Sequence, residues 1–95
     1  MTRILVSIAL LAFGASAAEA ACYADYKAKR DDPLRLHYGV IEVDADPCAP
    51  SPAVENMITR RLAAGGWTLL QVESVFDESA LDAKRSDAGE YFLRF

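Results

Sequence analysis

The stretch that decides the fold is SPAVENMITRRLAAGGWTLLQV, residues 51–72. Ser51 is a residue type that caps helix N-termini, and Pro52 follows at the first helical position, where a missing N–H costs nothing. Apolar residues then recur at helical spacing, and the Gly-Gly pair at 65–66 supplies a left-handed stop. The stretch therefore predicts an amphipathic helix over 52–64. Its apolar stripe consists of Val54, Met57, Ile58 and Leu62.

Strands are predicted on both sides of this helix and at the end of the chain. Period-2 alternation over 34–43 and 67–76, with many β-branched and aromatic residues, indicates the first two. Residues 90–95 are apolar on both alternating faces, so we expect them to form a central strand antiparallel to its neighbours. Gly39 inside the first strand indicates a bulge or a close backbone neighbour. The two faces of the first strand hold Leu34, Leu36, Tyr38 and Val40, and Arg35, His37, Gly39 and Ile41.

The order of these elements predicts an α+β fold: a small three-stranded mixed sheet, covered on one face by one main helix, in the order β-α-β-β. Because a strand–helix–strand unit crosses over right-handed, the strands over 34–43 and 67–76 should be parallel. Residues 23–30 contain helix formers and end at Asp31-Asp32-Pro33, so a short helix is expected in an N-terminal arm. A second short helix is expected over 79–86. The other sheet face and the strand edges are then free for another chain to dock.

Residues 1–20 have the features of a secretion signal. Arg3 supplies a positive start, an apolar stretch runs from Ile4 to Phe13, and Ala18-Glu19-Ala20 has the small-x-small form of a cleavage site. The apolar stretch is too short for a membrane-spanning helix, which needs roughly 20 residues. We therefore expect cleavage after Ala20, a single domain over 21–95, a periplasmic or secreted location, and no stable membrane anchor after cleavage.

The chain has two cysteines, which export would bring into an oxidising compartment. Cys22 and Cys48 can pair in only one way, so we expect a disulfide that tethers the N-terminal arm to the loop after the first strand. The alternative is a redox dithiol. Redox pairs usually stand close together as Cys-x-x-Cys, where a helix N-terminus lowers the pKa of one thiol. The wide separation of Cys22 and Cys48 favours a structural bridge.

Composition excludes several classes of function. The 95-residue chain has a formal net charge of -4, whereas nucleic-acid binding needs clustered Lys and Arg for phosphate contacts. One His and two Cys exclude most all-protein zinc sites. Glu42, Asp44 and Asp46 have a spacing that hard cations favour, but the loop lacks the remaining calcium ligands, so a solvated acidic turn is preferred. We expect no cofactor, no metal and no nucleic-acid partner.

The sequence contains no recognisable catalytic motif. His37 is the only histidine, and we expect it to face solvent or to stack on a tyrosine. Trp67 directly follows the glycine pair and opens a strand, which favours core packing over ligand stacking. We expect a non-catalytic binding or accessory protein. A small-ligand carrier with an apolar cavity between helix and sheet is the first alternative, and a hydrolytic enzyme is the second. The serines after residue 20, none in a nucleophile motif, are Ser51, Ser74, Ser79 and Ser86.

A zone of tyrosines and cations near the N-terminus is the candidate interaction surface. Tyr and Arg are residue types that anchor interfaces, and the local positive charge suits an acidic protein partner. The alternative is that the tyrosines pack the arm onto the sheet while the cations stay solvated. The candidate surface comprises Tyr23, Tyr26, Arg30, Arg35 and His37, in a zone that also holds Lys27, Lys29 and Tyr38.

Two short stretches, AAGGWTLLQV at 63–72 and YFLR at 91–94, carry a family resemblance. With the amphipathic helix before them, they resemble a family of small bacterial domains of unknown function. The hallmark of that family is a helix ending in Gly, then Trp, an acidic residue, Leu and a hydrophobic strand, and finally a Phe-Leu-basic strand. The resemblance covers about residues 36–95 and implies the β-α-β-β order but no functional residue. The chain departs from it at Thr68, in the long 77–89 insert and in the extra arm.

Overall fold

A computed structural model describes residues 21–95; the predicted secretion signal over 1–20 and its cleavage after Ala20 lie outside the described residues. The α+β class is confirmed, since the described part contains one three-stranded sheet and two α-helices. The strands are β1 (Cys22–Arg30), β2 (Arg35–Val43) and β3 (Thr68–Asp77), and the helices are α1 (Pro52–Ala64) and α2 (Leu81–Ala88). Short 3-10 turns cover Glu78–Ala80 and Gly89–Tyr91.

The sheet has the strand order β2-β1-β3, and both neighbours run antiparallel to β1. The predictions of a mixed sheet and of the order β-α-β-β are therefore wrong, because the chain order is β-β-α-β-α. β2 and β3 do run in the same direction, as predicted for 34–43 and 67–76, since both oppose the strand between them. That central strand comes from the N-terminal end of the domain instead of from residues 90–95.

Residues 22–30 form β1, so the short helix predicted over 23–30 is wrong. Ala24, Tyr26 and Ala28 point to one face of the sheet and are fully buried there. Ala24 and Ala28 favour a helix in isolation, but here both edges of their segment pair with a strand, and this tertiary pairing overrides local propensity. Residues 31–33, predicted to end a helix, form the turn of the β1–β2 hairpin together with Leu34, which was predicted to begin the strand.

The C-terminal residues do not enter the sheet, and the central strand predicted over 90–95 is wrong. β1 occupies the central position and pairs with β2 on one edge and β3 on the other, so residues 90–95 cannot be the central strand. A single bridge joins Phe92 to Val40, and the Leu93 N–H donates to the Val40 carbonyl at 2.8 Å. The apolar side chains of this segment instead pack on both sides of the sheet. Tyr91 and Phe95 join the core on the α1 side, and Phe92 joins the cluster on the opposite side.

Helix α1 covers one sheet face, as predicted from residues 51–72. The Ser51 hydroxyl accepts a hydrogen bond from the Val54 N–H at 3.1 Å, and Gly66 takes the left-handed conformation with φ +86°. The stripe predicted from the spacing reaches the core, since Val54, Ile58 and Leu62 are buried. There they pack with side chains of the sheet, among them Tyr26, Ile41, Val43 and Trp67.

Helix α2 covers part of the other sheet face, so the prediction of a sheet covered by one helix only is wrong. Ala88 of α2 is buried in a cluster with Tyr23 and Val40. The short helix predicted over 79–86 corresponds to α2 and the 3-10 turn before it, but its start is set by Asp77. The Asp77 carboxylate accepts from the N–H and the hydroxyl of Ser79.

The predicted disulfide between Cys22 and Cys48 is present, with 5.6 Å between the Cα atoms. It joins the first residue of the central strand to the loop between β2 and α1. No helix within residues 21–95 is long and apolar enough to span a bilayer.

Candidate functional site

His37 of β2 lies in an aromatic cluster. The other rings come from β1, from the residue just before β3 and from the C-terminal segment. The His37 ring stacks on Tyr91, with centroids 3.7 Å apart, and meets the edge of Trp67 at 4.3 Å. Phe95 lies on the same stack at 6.0 Å. The Tyr26 hydroxyl is hydrogen-bonded to His37 Nε2 at 2.9 Å. His37 therefore stacks on a tyrosine, one of the two environments expected for it, and Trp67 is buried as expected.

The surroundings of His37 favour the neutral form of its ring. Burial lowers the pKa of His37, and the guanidinium groups of Arg30 and Arg94 lower it further, against an opposing effect of Glu90. His37 Nδ1 is buried and has no hydrogen-bond partner among the described residues. Arg30 itself lies over the Trp67 ring, 4.2 Å from its centroid. This arrangement suits a packing role, since a proton on the imidazole would be desolvated beside two cations.

We expect the domain to lose stability as the pH falls from about 7 toward 5, because of His37. The unfolded chain, in which the pKa of His37 is near the ordinary 6.5, binds the proton before the folded chain does. The stabilisation is thus complete above the unfolded pKa and is lost as the pH falls toward the lower folded pKa. Urea unfolding of the protein and of His37→Gln at several pH values measures this dependence. An equal slope in both proteins over this range would contradict it.

A second polar cluster is centred on Asp25, on the sheet face that α2 partly covers. The Asp25 carboxylate accepts hydrogen bonds from the Tyr38 hydroxyl at 2.7 Å, the Ser74 hydroxyl at 2.6 Å and the Lys84 ammonium at 2.9 Å. Burial alone would raise the pKa of Asp25, but these donors outweigh it and hold the pKa below its usual value. Because the donors come from β2, β3 and α2, Asp25 anchors α2 to the sheet. Sequence reasoning missed this cluster, since no local spacing brings its members together.

The five residues predicted to form one interaction surface do not share a face of the sheet. Tyr26 and His37 are buried on the α1 side, whereas Tyr23 is buried on the opposite side, where it stacks on Phe76. Arg30 and Arg35 are exposed near the hairpin turn. Successive residues of a strand point to opposite faces, so the sheet divides a group chosen by closeness in sequence. The tyrosines are packed and the arginines exposed, as in the alternative stated for this zone, but residues 22–30 are the central strand of the sheet and not an arm packed onto it.

Three exposed leucines near the β1–β2 turn form a different surface, which we call the leucine patch: Leu34, Leu36 and Leu70. Leu36 is 66% exposed and Leu70 is 50% exposed. Together with Lys27 and Tyr38 they line an open groove of about 310 Å³. Leu34, which is 64% exposed, is the last residue of the turn, two positions before Leu36 of β2. The patch occupies the part of the sheet face opposite α1 that α2 leaves uncovered.

Two irregularities in β3 bring Leu70 into the leucine patch. The register between β1 and β3 shifts twice, and each shift leaves one β3 residue without a partner, Glu73 and Leu70. An extra residue of this kind breaks the period-2 alternation of a strand. Strict alternation over 67–76 would place Leu70 on the same face as Val72, and this is wrong because alternation carries no signal for a bulge. Packed against the α1-side core instead are Leu69, Val72 and Val75.

The acidic residues around the loop after β2 have a spacing that suits a calcium ion, although a solvated turn was the preferred prediction. Asp44 and Asp46 are exposed in this loop. Within residues 21–95, no three His, Cys, Asp or Glu side chains come together as a group that could hold a metal ion. The loop thus offers two solvated carboxylates beside the disulfide.

In comparisons with known proteins, no family model, no curated protein and no solved structure matches the chain. The resemblance of residues 36–95 to a family of small bacterial domains therefore stays a prediction.

Proposed function

We propose that this chain is a small exported domain, periplasmic or secreted, that has no catalysis of its own and binds a protein partner through the leucine patch. The observation that carries the proposal is the exposure of Leu36 on β2 and Leu70 on β3, which line one groove across the central strand. Single exposed leucines are common, but apolar side chains that share one uncovered surface mark interaction sites. Burying one leucine side chain against a partner is worth roughly 1.5–3 kcal/mol.

The environments of the buried Asp25 carboxylate and His37 imidazole support a binding role over a hydrolytic one. The Asp25 carboxylate is engaged by three donors, and the His37 ring is stacked and hydrogen-bonded to Tyr26. A general base must be free to approach a substrate proton. Both groups would have to leave their partners before they could act in this way.

A small-ligand carrier receives less support from the packing between α1 and the sheet. A carrier needs an apolar cavity there, but the side chains that occupy this space are fully buried and in contact with one another. They include Tyr26, Ile41, Ile58 and Leu62.

Export is supported by the disulfide together with the features of residues 1–20. Disulfides persist in oxidising compartments and are rare in the bacterial and eukaryotic cytosol. The Cys22–Cys48 bond also suits a domain of this size, since a small core alone supplies little net stability.

A photo-crosslinking side chain placed at Leu36 or at Leu70 tests the proposal in cells that express the full-length chain. We expect covalent adducts with a protein from both positions. The matched control is Leu93, which is 43% exposed but lies outside the leucine patch, and it should give none. Near-ultraviolet circular dichroism confirms that each variant is folded. Equal adducts from Leu93, or none from the patch in folded protein, would refute the proposal.

A further inference from the structure

The leucine patch has the composition of the centre of a protein–protein interface. Leu34, Leu36 and Leu70 are apolar, and the ring of Tyr38 lines the same groove. The cores of homodimer interfaces are more apolar than the rest of a protein surface, and tyrosine is enriched in them. Such a composition suits a partner with a folded surface and a matching apolar centre.

The rim of the leucine patch carries both signs of charge. Lys27 Nζ lies 3.8 Å from Glu73 Oε2, and the two side chains stay 57% and 30% exposed. Lys29 pairs with Leu36 in the β1–β2 register, and its ammonium lies 3.3 Å from Asp31. A rim of mixed sign favours neither a uniformly acidic nor a uniformly basic partner. It suits a two-fold interface, in which residue i of one copy meets residue j of the other and j meets i.

Most of the loop and strand-end carboxylates lie at the opposite end of the sheet from the leucine patch. Cys22 aligns with Val43 and Asp77 at the disulfide end, whereas the patch adjoins the β1–β2 turn. Two copies that meet patch to patch keep their disulfide ends apart, so the carboxylates at that end do not face each other. Asp31 and Asp32 are the carboxylates of the turn beside the patch, where Lys29 lies 3.3 Å from Asp31. The carboxylates at or next to the disulfide end are Glu42, Asp44, Asp46, Asp77 and Glu78.

From the apolar centre, the mixed rim and the distant acidic end, we infer that the partner of the leucine patch is a second copy of this chain. The two copies are related by a two-fold axis through the patch, with Leu36 and Leu70 buried at its centre. Lys27 of each copy pairs with Glu73 of the other. This inference rests on the proposed function and names the partner of that same surface.

Sedimentation equilibrium of the disulfide-bonded protein, purified after expression of the full-length chain, measures this association over a dilution series. We expect the average mass to rise toward twice that of the monomer with concentration. Leu36→Asp and Leu70→Asp should each raise the dimer dissociation constant by more than about tenfold, because each buries two charges per dimer in an apolar centre. Leu93→Asp should leave the constant unchanged.

Exchange of the two rim charges tests the reciprocal pairing. Lys27→Glu places like charges opposite each other and should weaken the dimer by about tenfold. Adding Glu73→Lys to Lys27→Glu restores opposite charges and should restore most of the association. A dimer that is insensitive to Lys27→Glu would overturn the pairing.

Two outcomes overturn the inference as a whole: a monomer at every concentration, or a dimer that survives Leu36→Asp. If the protein is monomeric and the crosslinker at Leu36 captures a different protein, the second-copy inference fails while the proposed function stands. If the protein is monomeric and the crosslinker captures nothing, both fail.

Discussion

Replacing Cys22 and Cys48 together with alanine is expected to lower the free energy of unfolding by about 3.5 kcal/mol. The bond closes a loop between residues 26 positions apart, and its loss restores the freedom of that loop in the unfolded chain. A domain of about 75 residues is stabilised by roughly 4–11 kcal/mol in total. The disulfide therefore supplies a large share of the stability.

The position of the bond in the fold adds to this effect. Cys22 is buried and begins the central strand, where it aligns with both β2 and β3. Cys48 lies in the loop that leads to α1. Without the bond, the start of β1 and the loop before α1 both lose an anchor. The two cores on either side of the sheet should therefore weaken together.

Thermal unfolding of the wild type and of the double variant measures the prediction. The melting temperature should fall by roughly 15–25 °C, since each kcal/mol is worth about 4–8 °C in a domain of this size. Wild-type protein in excess dithiothreitol should fall by a similar amount, and the double variant should not respond to the reductant. A wild type that melts at the same temperature with and without reductant would contradict the prediction.

Gly39→Ala is the second substitution with a large expected effect, a loss of roughly 2–4 kcal/mol in unfolding free energy. In general, alanine in a strand is preferred over glycine, because glycine loses more conformational freedom on folding. At Gly39 the sign reverses. A Cβ there would stand 2.6 Å from Tyr26 Cζ and closer still to its hydroxyl oxygen.

The Tyr26 ring has no room to move away from an added Cβ. Tyr26 is fully buried, and its hydroxyl is hydrogen-bonded to His37, which is in turn stacked on Tyr91. Displacing the ring breaks that hydrogen bond and disturbs the aromatic cluster. The bulge or close backbone neighbour predicted for Gly39 is wrong: the β1–β2 register is regular there, and the close neighbour is the Tyr26 side chain.

A double-mutant cycle with Tyr26→Leu isolates this contact. In the Tyr26→Leu background the ring is absent, so Gly39→Ala should cost little or be slightly stabilising. Urea unfolding of the four proteins gives the coupling energy between the two positions. A Gly39→Ala cost that is the same in both backgrounds would show that the Tyr26 ring is not its cause.

The elements predicted well from sequence are those with complete local signals. Helix α1 carries its cap at Ser51, its apolar stripe and its stop at Gly66, and all three are present. β2 follows strict alternation along its length. The segment that became β1 instead carries alanines and lysines that favour a helix alone, and only pairing with β2 and β3 makes it a strand.

The candidate site was less accessible to sequence reasoning. Asp25 takes partners from three distant elements, and Leu70 reaches the leucine patch through a bulge that alternation cannot encode. Leu36 was assigned to the correct strand face. The exposure of Leu36 depends on which part of the sheet face α2 covers, and the sequence pattern of β2 does not show this.

The sequence alone determined helix α1 and the alternating faces of β2, because both depend on residues close together in the chain. It also determined the disulfide, because two cysteines can pair in only one way. Only the tertiary structure decided that β1 is central, that Tyr26 lies against Gly39, and that three leucines stay uncovered beside α2. The physical reason is that these features arise from contacts between segments far apart in the chain. Their free energies depend on which surfaces meet, and no local period or propensity records that.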